Sequence, residues 1–178
     1  MIRTRRTRMG GLLMLAISSL PTQATINNVH LYGALVAEPC VILPGDEEIQ
    51  LDFGTIMDKY LYKYTRTQGL GFDIRLSECD ISLGKTVKVK FTGSENTQLP
   101  GLLALDGSSN VSGIAIGLET PSAQQLPINK KSDAFPLLNG NSSIALKAYV
   151  QGEPQAIIDH NIGRGTFTAT AIFNLEYE

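Results

Sequence analysis

The sequence predicts an all-β fold, a two-sheet sandwich in a single domain. Three observations predict it. Runs of five to nine residues with an apolar side chain at every second position recur along the chain, the signature of half-buried strands. Turn chemistry rich in Gly, Pro, Asn, Asp and Ser separates them. After Ala24 no segment keeps a helical period for more than two turns. There is no internal repeat, low-complexity linker or composition shift to mark a second domain.

The first 24 residues stand apart from that pattern. Arg3, Arg5, Arg6 and Arg8 are followed by an apolar stretch from Met9 to Leu20, then Pro21 and a small-residue site ending at Ala24. This is the layout of a secretory signal peptide, with cleavage expected after Ala24. The apolar stretch is too short to span a bilayer, which takes ~20 residues, and no later segment approaches that length. The expected mature chain of about 154 residues is long enough for one domain with its own core. Losing four arginines takes its formal charge from −2 to −6. An acidic surface without a basic block argues against nucleic acid as a partner.

In chain order, the first expected strand is "VHLYGALV", leading into Cys40, and "EIQLDF" follows the turn at Pro44-Gly45. "FDIRL" precedes Cys79. "KTVKVKF" sets Val87, Val89 and Phe91 opposite Lys88 and Lys90. "GLLAL" and "SGIAIGLE" flank the turn "DGSSN" at 106–110. "SSIALKAYV" alternates Ile144, Leu146, Ala148 and Val150. The longest alternation is the tail, "GTFTATAIFNLEYE", with Phe167, Ala169, Ala171, Phe173, Leu175 and Tyr177 on one face. Tyr60, Tyr62 and Tyr64 alternate in the same way, which suggests packing on an edge strand, with a binding surface as the alternative. In an exported chain Cys40 and Cys79 are expected to form a disulfide, the alternative being two buried free thiols. It would close a loop of 38 residues and add about 4 kcal/mol in the chain-entropy model.

The chain is poor in the side chains of catalysis. Its two histidines, His30 and His160, support neither a nucleophilic triad nor a metal site built on several imidazoles. Asp46, Glu47 and Glu48 cluster in a turn and read as a solvated run. There is no glycine-rich phosphate loop, and the triplets at Asn110 and Asn141 fit a glycosylation sequon no better than chance allows. No catalytic residue, metal ligand or cofactor is expected.

The constructive signals lie near both ends. Upstream of Cys40, Val29, Leu31, Gly33 and Leu35 share one face of an alternating arm whose glycine marks a close backbone approach. That glycine falls seven residues before the first cysteine, "GFDIRLSECD" holds the second, and the tail carries Gly165 fourteenth from its end and a penultimate Tyr177. In these features, taken together over the whole mature chain, the sequence resembles pilus subunits of the bacterial chaperone–usher pathway.

The resemblance implies an incomplete immunoglobulin-like β-sandwich lacking its final strand, with residues 25–36 as an N-terminal donor-strand arm and 37–178 as the pilin domain. Val29, Leu31, Gly33 and Leu35 would be the donor face, with Gly33 over a shallow pocket. Gly165, Phe167, Ala169, Ala171, Phe173, Leu175 and Tyr177 would form the acceptor groove edge, and the carboxylate of Glu178 would anchor a periplasmic chaperone. The implied partners are other pilus subunits, that chaperone and an outer-membrane usher. The implied location is a fimbrium at the cell surface. Among subunit roles the charged "PGDEEIQ" and "MDKYLYKYTR" segments favour a minor or adaptor subunit. The alternatives are a major rod subunit or a single-domain adhesin binding a host ligand.

Overall fold

The computed structural model describes residues 29–178. The expected signal segment, 1–24, and residues 25–28 of the expected arm lie outside the described residues. The chain divides into two units, Met1–Leu35 and Val36–Glu178. Of the first, residues 29–35 are described. They form no regular structure, and Leu31 and Leu35 are 91% and 102% exposed. The expected strand over 29–36 is therefore absent. An apolar alternating segment gains a strand's hydrogen bonds only from a partner, and none pairs with it among the described residues.

The second unit is built from α1 (Asp58–Tyr64), β1 (Leu70–Cys79), β2 (Thr86–Thr92), β3 (Ile114–Glu119), β4 (Phe135–Pro136), β5 (Gly140–Gly152), α2 (Pro154–Ile158) and β6 (Ile172–Tyr177). The strands form two three-stranded antiparallel sheets, ordered β1-β5-β3 and β4-β2-β6. Alternation along each strand turns one face inward. Ile74 and Leu76 of β1 and Ile144, Leu146, Ala148 and Val150 of β5 meet Val87, Val89 and Phe91 of β2 in one core. The rings of Phe72 and Phe91 pack edge to face, 6.4 Å apart, between the two sheets. This is the all-β, immunoglobulin-like sandwich that the sequence predicts.

Cys40 and Cys79 are joined in a disulfide that ties the chain entering the domain to the end of β1. Beside it Val41 and Ser77 exchange backbone hydrogen bonds, both at 2.8 Å. On the outer face of the β1-β5-β3 sheet a smaller cluster of Leu99, Leu102, Ala115 and Tyr149 is buried. Gly117 makes room for it: a Cβ there would stand 2.1 Å from the Tyr149 ring. The Arg66 guanidinium lies 3.7 Å from the centre of that ring while pairing with buried Glu119 at 2.9 Å. Burial pushes the Tyr149 hydroxyl above its ordinary pKa.

Two expectations need correction. Tyr60, Tyr62 and Tyr64 sit on α1, not on an edge strand. The helix buries Leu61 and stacks Tyr60 on Tyr64, four residues and one turn on, with rings 4.6 Å apart. Period two in three tyrosines was matched by a second pattern, Leu61 facing inward, which a strand would have turned out. "EIQLDF" and "GLLAL" are likewise not strands. Leu103 makes only single bridges, to Glu95 and Ile116. Ile49, Leu51 and Phe53 do alternate half-buried, but their backbone bonds to no neighbour among the described residues.

Candidate functional site

The expected tail strand runs beyond β6 at its N-terminal end. Half-burial alternates without a break from Phe167 to Tyr177, so all six apolar side chains of the tail face the core. The hydrogen bonds show which way the backbone faces. Thr86 and Glu178 exchange bonds with each other, at 2.9 and 3.2 Å. In an antiparallel ladder bonded pairs recur every second residue, so with Val87 opposite Tyr177 and Lys88 opposite Glu176, the even-numbered residues of β6 bond to β2. Further up, Thr166 and Thr168 turn the same way: their carbonyls accept from Asn110 and Asp106 at 2.9 and 2.8 Å.

The N–H and C=O groups of Phe167, Ala169, Ala171, Phe173, Leu175 and Tyr177 therefore point to the opposite edge. No partner takes them there among the described residues. The side chains that are only half covered and the backbone groups that are unpaired belong to the same six residues. An edge of this length, apolar on its inner face and open along its backbone, is what an added strand pairs with.

The second wall of the site was missed in the sequence. Residues 47–56 approach the same core through Ile49, Leu51, Phe53 and Ile56, with no backbone hydrogen bond to a strand among the described residues. The Phe53 ring lies 6.3 Å from that of Phe167. At the other end Pro39 and the carbonyl of Glu178 both flank Gly84. The two walls therefore run in opposite directions along one half-covered strip of core. Alternation in "EIQLDF" is the signal in the sequence; an alternating run shows which face is apolar, not what its backbone pairs with.

The ends of this open edge are fixed. Gly165 has φ +151°, a conformation that side chains rarely adopt, and a Cβ there would stand 3.0 Å from Asn110. Next to it Arg164 holds Asp58 of α1 at 2.9 Å, and this hydrogen bond keeps the Asp58 carboxyl below its ordinary pKa. Tyr62 accepts from the Ile162 amide at 3.2 Å, and its ring lies 4.5 Å from that of His160, which is solvent-exposed. At the far end the carbonyl of Glu178 accepts from Lys85 and Thr86, and its side chain pairs with Lys88 at 2.6 Å. Lys131 pairs with Glu176 on the outer face of β6 and lowers its pKa. Burial raises that of Tyr177. Of the expected donor face, Val29, Leu31 and Leu35 are exposed and Gly33 has nothing within 4 Å of its position.

Two three-stranded sheets, a disulfide at the root of the N-terminal segment and an edge with half its contacts unmade define the class: an incomplete immunoglobulin-like sandwich of the pilin kind. The family model described as "Fimbrial protein" matches residues 29–178, and the chain belongs to that family. It is 32% identical over 174 residues to an uncharacterized fimbrial-like protein, YfcP, of Escherichia coli (strain K12), covering 94% of this chain and 95% of the relative. It is 31% identical to the major MR/P fimbria protein of Proteus mirabilis, covering 94% and 93%. A solved chaperone–usher pilus matches with a TM-score of 0.68 at 25% identity, over 91% of this chain and all of that one. The chain is a structural subunit of a bacterial fimbrium, at the cell surface.

Proposed function

We propose that this subunit is joined to its neighbours by donor-strand complementation, with the edge 167–177 as acceptor and residues 29–35 as donor. The observation that carries it is the coincidence of half-covered side chains and unpaired backbone on the same six residues. Val29, Leu31 and Leu35 of one subunit fill the strip between the two walls of the next. Gly33 lies where the floor is shallow, and small Ala169 and Ala171 leave room for a larger donor side chain. Burying three such side chains gives roughly 1.5–3 kcal/mol each, and each new backbone hydrogen bond about 0.5–1.5 kcal/mol. The total is on the order of 10 kcal/mol, the scale of a whole domain's stability. A subunit without a donor is then prone to aggregate through its edge.

Before assembly a periplasmic chaperone lends the strand, and the outer-membrane usher is where the next arm replaces it. Lys88 holds the Glu178 side chain and the Lys85 and Thr86 amides hold one oxygen of its main-chain carboxylate, which leaves the other oxygen for a basic group of the chaperone. The subunit performs no chemistry of its own. We place it as a minor or adaptor subunit on its charged segments. In fibres, deleting residues 29–35 is expected to abolish incorporation of the following contacts while leaving the fold of 36–178 intact; unchanged incorporation sinks the proposal. Loss of the whole gene separates the subunit roles: fibres that persist mark a minor subunit, and fibres that vanish mark the rod.

A further inference from the structure

The acceptor edge is supported from behind by two different devices. From Ile172 to Glu178 the support is the backbone ladder with β2. At Thr92 β2 ends; Gly93 still lies beside the tail, where a Cβ would stand 3.3 Å from the Thr170 carbonyl, and the Ser94 carbonyl already accepts from Ala104 at 2.8 Å. From Thr166 to Thr170 the support is the loop 106–110: the Asn110 and Asp106 amides donate to the carbonyls of Thr166 and Thr168, and side chains hold Thr168 and Thr170 further. Asp106 accepts from the Thr170 amide at 3.2 Å through Oδ1 and from the Thr170 hydroxyl at 3.0 Å through Oδ2. Ser109 Oγ accepts from the Thr168 amide at 3.0 Å and donates to its carbonyl at 3.1 Å. The accepting oxygens stand where a neighbouring strand's carbonyls would be, and the Ser109 hydroxyl proton where its N–H would be. Both alternate residues, 168 and 170, are thus held in strand geometry without a strand.

We infer that Asp106 and Ser109 are positioning residues for strand acceptance: they fix the pleat of 166–170 so that the groups of Phe167, Ala169 and Ala171 stay aligned for the donor. The inference rests on the acceptor role proposed for this edge. Its chemistry is that a carboxylate accepting two hydrogen bonds is a stronger hold than a neutral pair, and an edge half without such a hold loses its strand spacing at the cost of local opening.

The test is hydrogen exchange on the full chain, unfolded and refolded with an excess of a synthetic peptide of residues 25–38. The amides of Phe167, Ala169 and Ala171 have no acceptor among the described residues, so their protection reports the donor alone. In the wild type, peptide is expected to protect these three and those of Phe173, Leu175 and Tyr177. Asp106→Ala is expected to speed exchange of the first three about ten-fold and leave the second three unchanged. Asp106→Asn, which keeps an acceptor oxygen, restores part of the protection. Ser109→Ala is the milder variant should Asp106→Ala fail to refold, and it is expected to act in the same direction, with Ser109→Thr restoring it. Unchanged protection in the variants, or equal loss in both halves, overturns the positioning role. A wild type that gains no protection from the peptide overturns the acceptor edge itself, and the positioning role with it.

Discussion

β5 and β6 carry the same sequence pattern and end in opposite states. Each alternates apolar and polar residues, and each turns its apolar face to the same core. β5 has β1 on one edge and β3 on the other, and its inward residues are sealed: Leu146 is 1% exposed and Val150 0%. Among the described residues β6 has β2 on one edge only, and Phe173, Leu175 and Tyr177 stay half-covered. The difference is not in the strands but in what lies beside them. A strand's own residues set which face is apolar; the neighbours decide whether that face is finished.

The sharpest way to break the comparison is to cut one side chain from each strand. Leu146→Ala in β5 is expected to cost about 2–5 kcal/mol of stability, with or without a donor peptide, by denaturant unfolding. Phe173→Ala in β6 is expected to cost little in the lone subunit and an amount in the same range once the peptide is bound. Equal costs in both settings for both strands would erase the distinction. Next in size is the disulfide, which holds the entry of the unpaired wall 47–56 to β1 of the sealed sheet. Replacing Cys40 and Cys79 by alanine is expected to lower stability by about 4 kcal/mol and to weaken peptide binding as the wall loosens. Gly33→Leu in the peptide should overpack the strip, at about 1–3 kcal/mol, and slow its uptake while leaving the subunit's own melting unchanged. The smallest effect is pH. Hydrogen bonds from Arg164 and Lys131 hold Asp58 and Glu176 below the ordinary carboxylate pKa of about 4. Their stabilisation is full above that value and lost as pH falls through the lowered ones. Unfolding midpoints should drop modestly between pH 6 and pH 3, and molar salt should remove most of that difference because these pairs are exposed. A midpoint that rises on acidification contradicts the sign.

Most of the sealed part of the fold was legible in the sequence. "KTVKVKF" became β2 and "SSIALKAYV" the middle of β5, because within them every apolar side chain finds a wall inside the chain. The disulfide followed from export. The open part was legible only as an oddity. The tail's alternation announced an apolar face, but the strand proper covers Ile172–Tyr177, since above it β2 gives way to the side chains of Asp106 and Ser109. No periodicity marks that exchange. Ile49, Leu51 and Phe53 alternate as a strand does, yet their backbone finds no partner among the described residues. The tyrosines at 60, 62 and 64 misled because spacing two also occurs on a helix, where Leu61 and the Asp58–Arg164 contact decide the matter.

The central claim is that the edge 167–177 is completed by a strand with the sequence of residues 29–35. The most direct measurement is unfolding of the subunit refolded alone and refolded with the peptide of residues 25–38. A large gain in stability, on the order of several kcal/mol, with Gly33→Leu peptide giving distinctly less, is the predicted result. A subunit equally stable in both, or one stabilised as well by a scrambled peptide, would contradict it.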